Sequence, residues 1–202
     1  GWLPLVCTMN CTVATELLRD LFKLDLSGFE ASLMAAKAGA GGVITVPYFN
    51  GERTPNLPAA RACMLGMDSD NTRPENILRS AVEGVTFGLR HGLSRLQEEG
   101  VHAEKIVLSG GGANSPTWRQ MVADVCNVAV LMYRQEEGAA SGAAMQALEI
   151  VSDSGLSELL QEHLYEDLER CCVPGGEAAG FYDDAFQEYQ RAAEQVAGYY
   201  GN

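Results

Sequence analysis

The sequence predicts an α/β domain in which helices pack on strands, and three observations carry that reading. Residues 105–133 run strand, glycine turn, helix, strand, an order that calls for parallel pairing. Glycine is frequent, at 22 of 202 residues, and aromatics make up only 7%, which suits tightly packed helix and strand layers better than a β-sandwich. Apolar residues, at 47%, suffice to fill a core in one domain or one large half of a bigger enzyme.

The elements follow in order. Helical spacing of Val13, Leu17, Leu18, Leu21 and Phe22 predicts a first helix over about 10–24. A second, over about 28–38, ends at Gly39-Ala-Gly-Gly42, a strong stop and turn. Val43-Ile-Thr-Val46 reads as a strand entering the loop Pro47–Pro55, and Ala62-Cys-Met-Leu65 as a short strand before Gly66. Thr72-Arg-Pro-Glu75 is a capping-box signature opening the longest helix, about 73–99, with Gly100 at its stop. Leu78, Val82, Val85, Leu89 and Leu96 form its apolar stripe. Gly84, Gly88 and Gly92 recur on a neighbouring face, each costing about 1 kcal/mol of helix propensity relative to Ala. Three such positions predict another backbone element packed close by.

Ile106-Val-Leu108 leads into Gly110-Gly111-Gly112, a turn with no Cβ to block a ligand's approach. Ser115 is the expected N-cap, and Pro116 the first residue, of a helix over 116–127. Unpaired N–H groups of its first turn are expected to face whatever lies over the glycines. A nucleotide is the natural candidate, although a plain tight turn uses the same glycines. The strand 128–133, a small-residue helix over 136–148, a less periodic acidic tail from 152 and a last helix over 181–200 complete the chain.

A net charge of −13 argues against a nucleic-acid or anionic-membrane surface as partner, while leaving room for a phosphate held locally by amides and magnesium. Cys7, Cys11, Cys63, Cys126, Cys171 and Cys172 contain no Cys-x-x-Cys pair, and His91, His102 and His163 supply no zinc pattern. Reduced thiols in a cytoplasmic protein are the expectation. No stretch approaches membrane-spanning length, and no leader pattern is present. Gly1 rather than Met opens the chain, so a fragment is expected, with a second domain elsewhere.

Four stretches resemble the carbohydrate kinases named for their Phe-Gly-Gly-Tyr motif, most closely those that act on xylulose. They are Pro47-Tyr-Phe-Asn-Gly-Glu-Arg-Thr-Pro55, the pair Ala62–Met67 and Asn76–Glu83 separated by eight residues, Ser109–Asp124, and Glu137-Gly-Ala-Ala-Ser-Gly-Ala-Ala. Order and spacing agree from about residue 10 to 195. The resemblance implies an actin-like ATPase domain of ribonuclease-H type, a mixed sheet flanked by helices, with residues 1–202 forming the C-terminal nucleotide-binding domain of a two-domain sugar kinase. It implies ATP with Mg²⁺ as cofactor and a sugar hydroxyl as acceptor, D-xylulose going to its 5-phosphate.

By the same resemblance Gly111, Gly112 and Ser115, with Asn114 beside them and Gly110 in the same turn, sit against adenine and ribose. Thr12 and Glu16 correspond to positions where related kinases touch the nucleotide from an earlier helix. Ser115 is equally an N-cap and Asn114 equally a residue bonding its own turn, while Thr12 and Glu16 read as ordinary helix-face residues unless the fold sets them beside the glycine turn. Glu52 and Arg53 are expected in an exposed loop, paired with each other or with the partner domain, and Asp124 against a neighbour or water. The family's catalytic aspartate, both phosphate loops and most sugar contacts are expected upstream of Gly1, so no catalytic residue is assigned and the chain alone is not expected to turn over.

Kinases of the same family acting on ribulose, rhamnulose, glycerol or gluconate stand as alternatives, as does a non-catalytic nucleotide-binding module. A dinucleotide-binding dehydrogenase is rejected, because the turn lacks Gly-x-Gly-x-x-Gly spacing and no acidic residue follows at the ribose distance. The expected partners are ATP, a small sugar and the missing N-terminal domain, with a homodimer compatible.

Overall fold

The structure is a computed structural model that describes residues 3–134, 138–152 and 154–200. In chain order it comprises α1 (Thr12–Leu21), α2 (Leu26–Ala35), β1 (Ile44–Val46), β2 (Cys63–Leu65), α3 (Pro74–Glu98), β3 (Lys105–Val107), α4 (Pro116–Cys126), β4 (Ala129–Leu131), α5 (Gly138–Val151), α6 (Leu156–His163) and α7 (Gly176–Tyr200). Two strand pairs are formed among the described residues, one in each sense. β1 runs antiparallel to β2, with Ile44 opposite Leu65 and Val46 opposite Cys63. β3 runs parallel to β4, with Lys105 opposite Ala129 and Val107 opposite Leu131, as the β-α-β order requires. The expected mixture of pairing senses is present, carried by three-residue strands in two separate pairs.

Helix α3 is the central element, packed against α1, α2, α4 and β1. Leu33, Val46, Leu78, Val82, Val125, Val130 and Tyr182 are fully buried around it. Buried hydroxyls find partners across these layers. Thr45 and Ser80 share a 2.7 Å hydrogen bond between β1 and α3, and the Trp118 indole N–H donates to the Thr86 hydroxyl at 3.0 Å between α4 and α3. A Cβ built on Gly84 would overlap the Thr45 carbonyl oxygen, so β1 is the close backbone element that the glycine spacing calls for. The other two glycines meet side chains instead, the Tyr189 hydroxyl at 3.8 Å from a Cβ on Gly88 and Val6 at 2.6 Å from one on Gly92.

The capping box expected at the head of α3 does not form. Arg73 is the N-cap, without a side-chain bond, and the Thr72 hydroxyl donates to the Asp68 carbonyl, committed to the preceding turn. At the other end of the chain, α7 starts five residues before the expected 181. Buried Asp124 accepts the Gly175 N–H at 2.8 Å, and the Gly175 carbonyl accepts from Ala179, so α4 fixes where α7 begins. The acidic tail contains α6, which the sequence pattern does not show because Leu159 is its one buried residue. The expected helix start at Glu136, and Glu137 of the fourth family-like stretch, lie outside the described residues. Among the described residues no helix is long and apolar enough to cross a membrane.

Candidate functional site

The turn after β3, the head of α4, α1 and α2 enclose a cavity of about 530 Å³. Each glycine of the turn has a different physical reason. Gly110 takes φ +87° and ψ 178°, a backbone conformation that is essentially open to glycine alone, and it redirects the chain into a 3-10 turn over Gly111–Asn114. A Cβ on Gly112 would stand 2.8 Å from the Trp118 ring, so that position is small to admit the buried indole. A Cβ on Gly111 would meet nothing within 4 Å, and this is the glycine that leaves open space on the cavity wall.

Gly111, Gly112, Asn114 and Ser115 line this cavity together with Thr12 and Glu16 from α1. Six of the seven residues singled out in the sequence therefore share one concave surface, although Thr12 and Ser115 lie far apart in the chain. Gly110 lines a neighbouring cavity of about 250 Å³ with Cys11, Leu108 and Ser109 on another side of the same turn. Ser115 is the N-cap, its hydroxyl oxygen accepting the Trp118 N–H at 3.0 Å. The Asn114 amide oxygen accepts from Arg170 at 2.8 Å, which anchors it outside its own turn.

One expectation is corrected. The N–H groups at the head of α4 do not face the cavity unpaired. Pro116 has none, Trp118 donates to Ser115, and Thr117 donates to Glu30 Oε1 at 2.9 Å. The Thr117 hydroxyl reaches the same oxygen at 2.5 Å, and the Ser115 hydroxyl donates to Glu30 Oε2 at 2.5 Å. Glu30 thus caps α4 from α2, a carboxylate against a helix N-terminus. Sequence reasoning missed it; the available signal was a single charged residue within the otherwise neutral Leu26–Ala35 segment.

The cavity mixes apolar walls from Leu26, Phe29 and Pro116 with polar groups from Glu16, Arg19 and Glu30. Arg19 pairs with Glu16 at 2.7 Å and with Asp20 at 3.1 Å, while its Nε is a buried donor with no hydrogen-bond partner among the described residues. Apolar faces with a few converging polar groups suit a flat heterocycle with a hydrogen-bonding edge.

Within the loop expected to be exposed, Arg53 is exposed, whereas Glu52 is buried and acts as a clamp. Glu52 is 5% exposed, and its carboxylate accepts from the N–H groups of Met9 (2.8 Å) and Arg53 (2.7 Å) and from the Asn10 amide (3.3 Å). Asn10 also donates to the Gly51 carbonyl at 2.6 Å. These bonds fix the segment that delivers Thr12 to the cavity. The Arg53 guanidinium turns to the Cys7 sulfur at 3.6 Å. All six cysteines are unbridged, and among the described residues no group of three or more His, Cys, Asp and Glu is placed to hold a metal ion.

Comparison with known proteins adds four findings. The model of the FGGY family of carbohydrate kinases, C-terminal domain, matches residues 12–149. A xylulose kinase of Haemophilus influenzae is 39% identical over 196 residues, covering 97% of this chain and 40% of that protein. A xylulose kinase of Bacillus subtilis is 36% identical over 185 residues, covering 88% of this chain and 35% of its own length. The solved xylulose kinase from Lactobacillus acidophilus superposes with a TM-score of 0.86 at 24% identity, over 96% of this chain and 40% of that one. The chain spans about two fifths of the length of these proteins.

Proposed function

The chain belongs to the FGGY family of carbohydrate kinases and has the actin-like ATPase fold, and from that premise we propose that it is the nucleotide-binding C-terminal domain of a two-domain sugar kinase. The observation that carries the proposal is the convergence of Thr12, Glu16, Gly111, Gly112, Asn114 and Ser115 on one cavity. That cavity takes the adenosine end of ATP, with Gly111 giving the close approach and Leu26, Phe29 and Pro116 the apolar walls.

The reaction is transfer of the γ-phosphoryl group of ATP to a sugar hydroxyl. Such transfer rests on positioning and on stabilising charge at the phosphoryl oxygens. This domain supplies the positioning of the nucleotide. The carboxylate base, the sugar pocket and the phosphate loops belong to a segment upstream. Magnesium would supply charge neutralisation at the phosphates, and the described residues gather no cluster of His, Cys, Asp and Glu for it. D-xylulose is the proposed acceptor, chosen because the relatives above are xylulose kinases.

The test is ADP release by the intact enzyme that carries this domain, over D-xylulose, L-ribulose, glycerol and gluconate, with the 202-residue chain as control. D-xylulose-dependent release by the enzyme and none by the chain is expected. Preference for another sugar overturns the substrate, and sugar-dependent turnover by the chain alone overturns the upstream placement of the base.

A further inference from the structure

Resting on the nucleotide reading of the 530 Å³ cavity, we propose that Glu30 determines which part of the ligand enters it, accepting a hydrogen bond from a neutral donor on the nucleoside and turning phosphate away. Family-like motifs do not include this residue; its place in the structure suggests the role.

Each carboxylate oxygen presents two lone-pair positions. Oε1 of Glu30 has both filled by Thr117, through the N–H at 2.9 Å and the hydroxyl at 2.5 Å. Oε2 takes the Ser115 hydroxyl at 2.5 Å, which leaves it one position among the described contacts. Because Thr117 and Ser115 grip the carboxylate from α4, its reach into the cavity it lines is fixed in advance. An acceptor held that way rewards a ligand N–H or O–H and penalises a ligand acceptor placed against it.

Charge points the same way. Two carboxylates, Glu16 and Glu30, and one guanidinium, Arg19, line the cavity, and Arg19 is already paired with Glu16 at 2.7 Å. The helix N-terminus that would otherwise attract a phosphate is filled by Glu30 itself. A polyphosphate entering here would meet net negative charge, whereas an uncharged nucleoside with donors at its edge would not. Donors at two places on adenosine fit that chemistry, the 6-amino group and the ribose hydroxyls.

Titration calorimetry on the intact enzyme with ATP, inosine triphosphate and 2′,3′-dideoxy-ATP tests the proposal, for the wild type and for Glu30→Gln. Inosine triphosphate replaces the 6-amino donor by an acceptor, and 2′,3′-dideoxy-ATP removes both ribose hydroxyls. ATP is expected to bind at least tenfold tighter than one of the two, and the weaker one identifies the donor. In Glu30→Gln that ratio is expected to fall below about threefold, because the amide offers a donor where Oε2 accepted. Where the glutamine variant does not fold, Glu30→Asp carries the same comparison by drawing the acceptor back one methylene.

Equal wild-type affinities for all three nucleotides, or an unchanged ratio in the folded variant, overturn the role of Glu30 while the nucleotide site stands. No wild-type binding of ATP overturns both.

Discussion

The Trp118 ring stands 2.8 Å from where a Cβ on Gly112 would sit, while a Cβ on neighbouring Gly111 would meet nothing within 4 Å. Two adjacent glycines therefore answer to different demands. Gly112→Ala should lower stability by about 1–3 kcal/mol, because the buried indole is held by its bond to Thr86 and must shift. Gly111→Val should change stability by about 0.5 kcal/mol or less yet weaken ATP binding markedly by filling the cavity wall. Denaturant midpoints and nucleotide titration on the two variants check the split; ATP binding unchanged in Gly111→Val would remove that residue from the site.

Gly84 and Gly88 give a second matched pair within α3. Alanine in a helix gains about 1 kcal/mol over glycine, and Gly88→Ala should realise part of that gain, since the nearest atom to its Cβ is the Tyr189 hydroxyl at 3.8 Å. Gly84→Ala should instead destabilise by about 1–3 kcal/mol, because the Thr45 backbone has to move away. Urea unfolding of the two variants should show midpoints shifted in opposite directions.

Three donors converge on Glu83 Oε1: Arg79 Nε, the Tyr182 hydroxyl and the Gly39 N–H, each at 2.9 Å. Burial nevertheless raises the Glu83 carboxyl above its ordinary 4.5, with Arg79 pulling in the opposite direction. A carboxyl raised in the folded state keeps its proton longer than in the unfolded chain. Its contribution to stability therefore declines as pH rises from about 4.5 through the raised value. The stability of the wild type relative to Glu83→Gln should fall across that window and then level off. A difference that grows with pH would show that the ion pair with Arg79 prevails over burial.

Burial pushes the Cys126 thiol up to about 11, whereas Cys7 is exposed. At pH 8 only on the order of one Cys126 in a thousand would be thiolate, the reactive form. Brief iodoacetamide treatment followed by peptide mass spectrometry should therefore find Cys7 modified well before Cys126.

Features set by neighbours in sequence were legible before the structure. The parallel β3–β4 pair follows from its strand-helix-strand order, and the Ser115 cap from a hydroxyl placed before Pro116. Gly111, Gly112, Asn114 and Ser115 were legible through the family-like stretch that contains them, and Thr12 and Glu16 through the resemblance of an earlier helix. Features set by distant partners were not. Glu30 meets Thr117 across 87 positions, and Glu52 meets Met9 across 43, so neither periodicity nor loop composition reveals that one caps a helix and the other is buried. Thr72 shows the converse: a correct local motif loses to the turn before it, where Asp68 takes its hydroxyl.

The most direct test of the account is photolabelling of the intact enzyme with 8-azido-ATP, with the modified peptides mapped by mass spectrometry. Labelling within residues 12–30 or 111–118, suppressed by excess ATP, is the result the cavity demands. ATP-suppressible labelling confined to other segments, or no labelling that ATP suppresses, would contradict it.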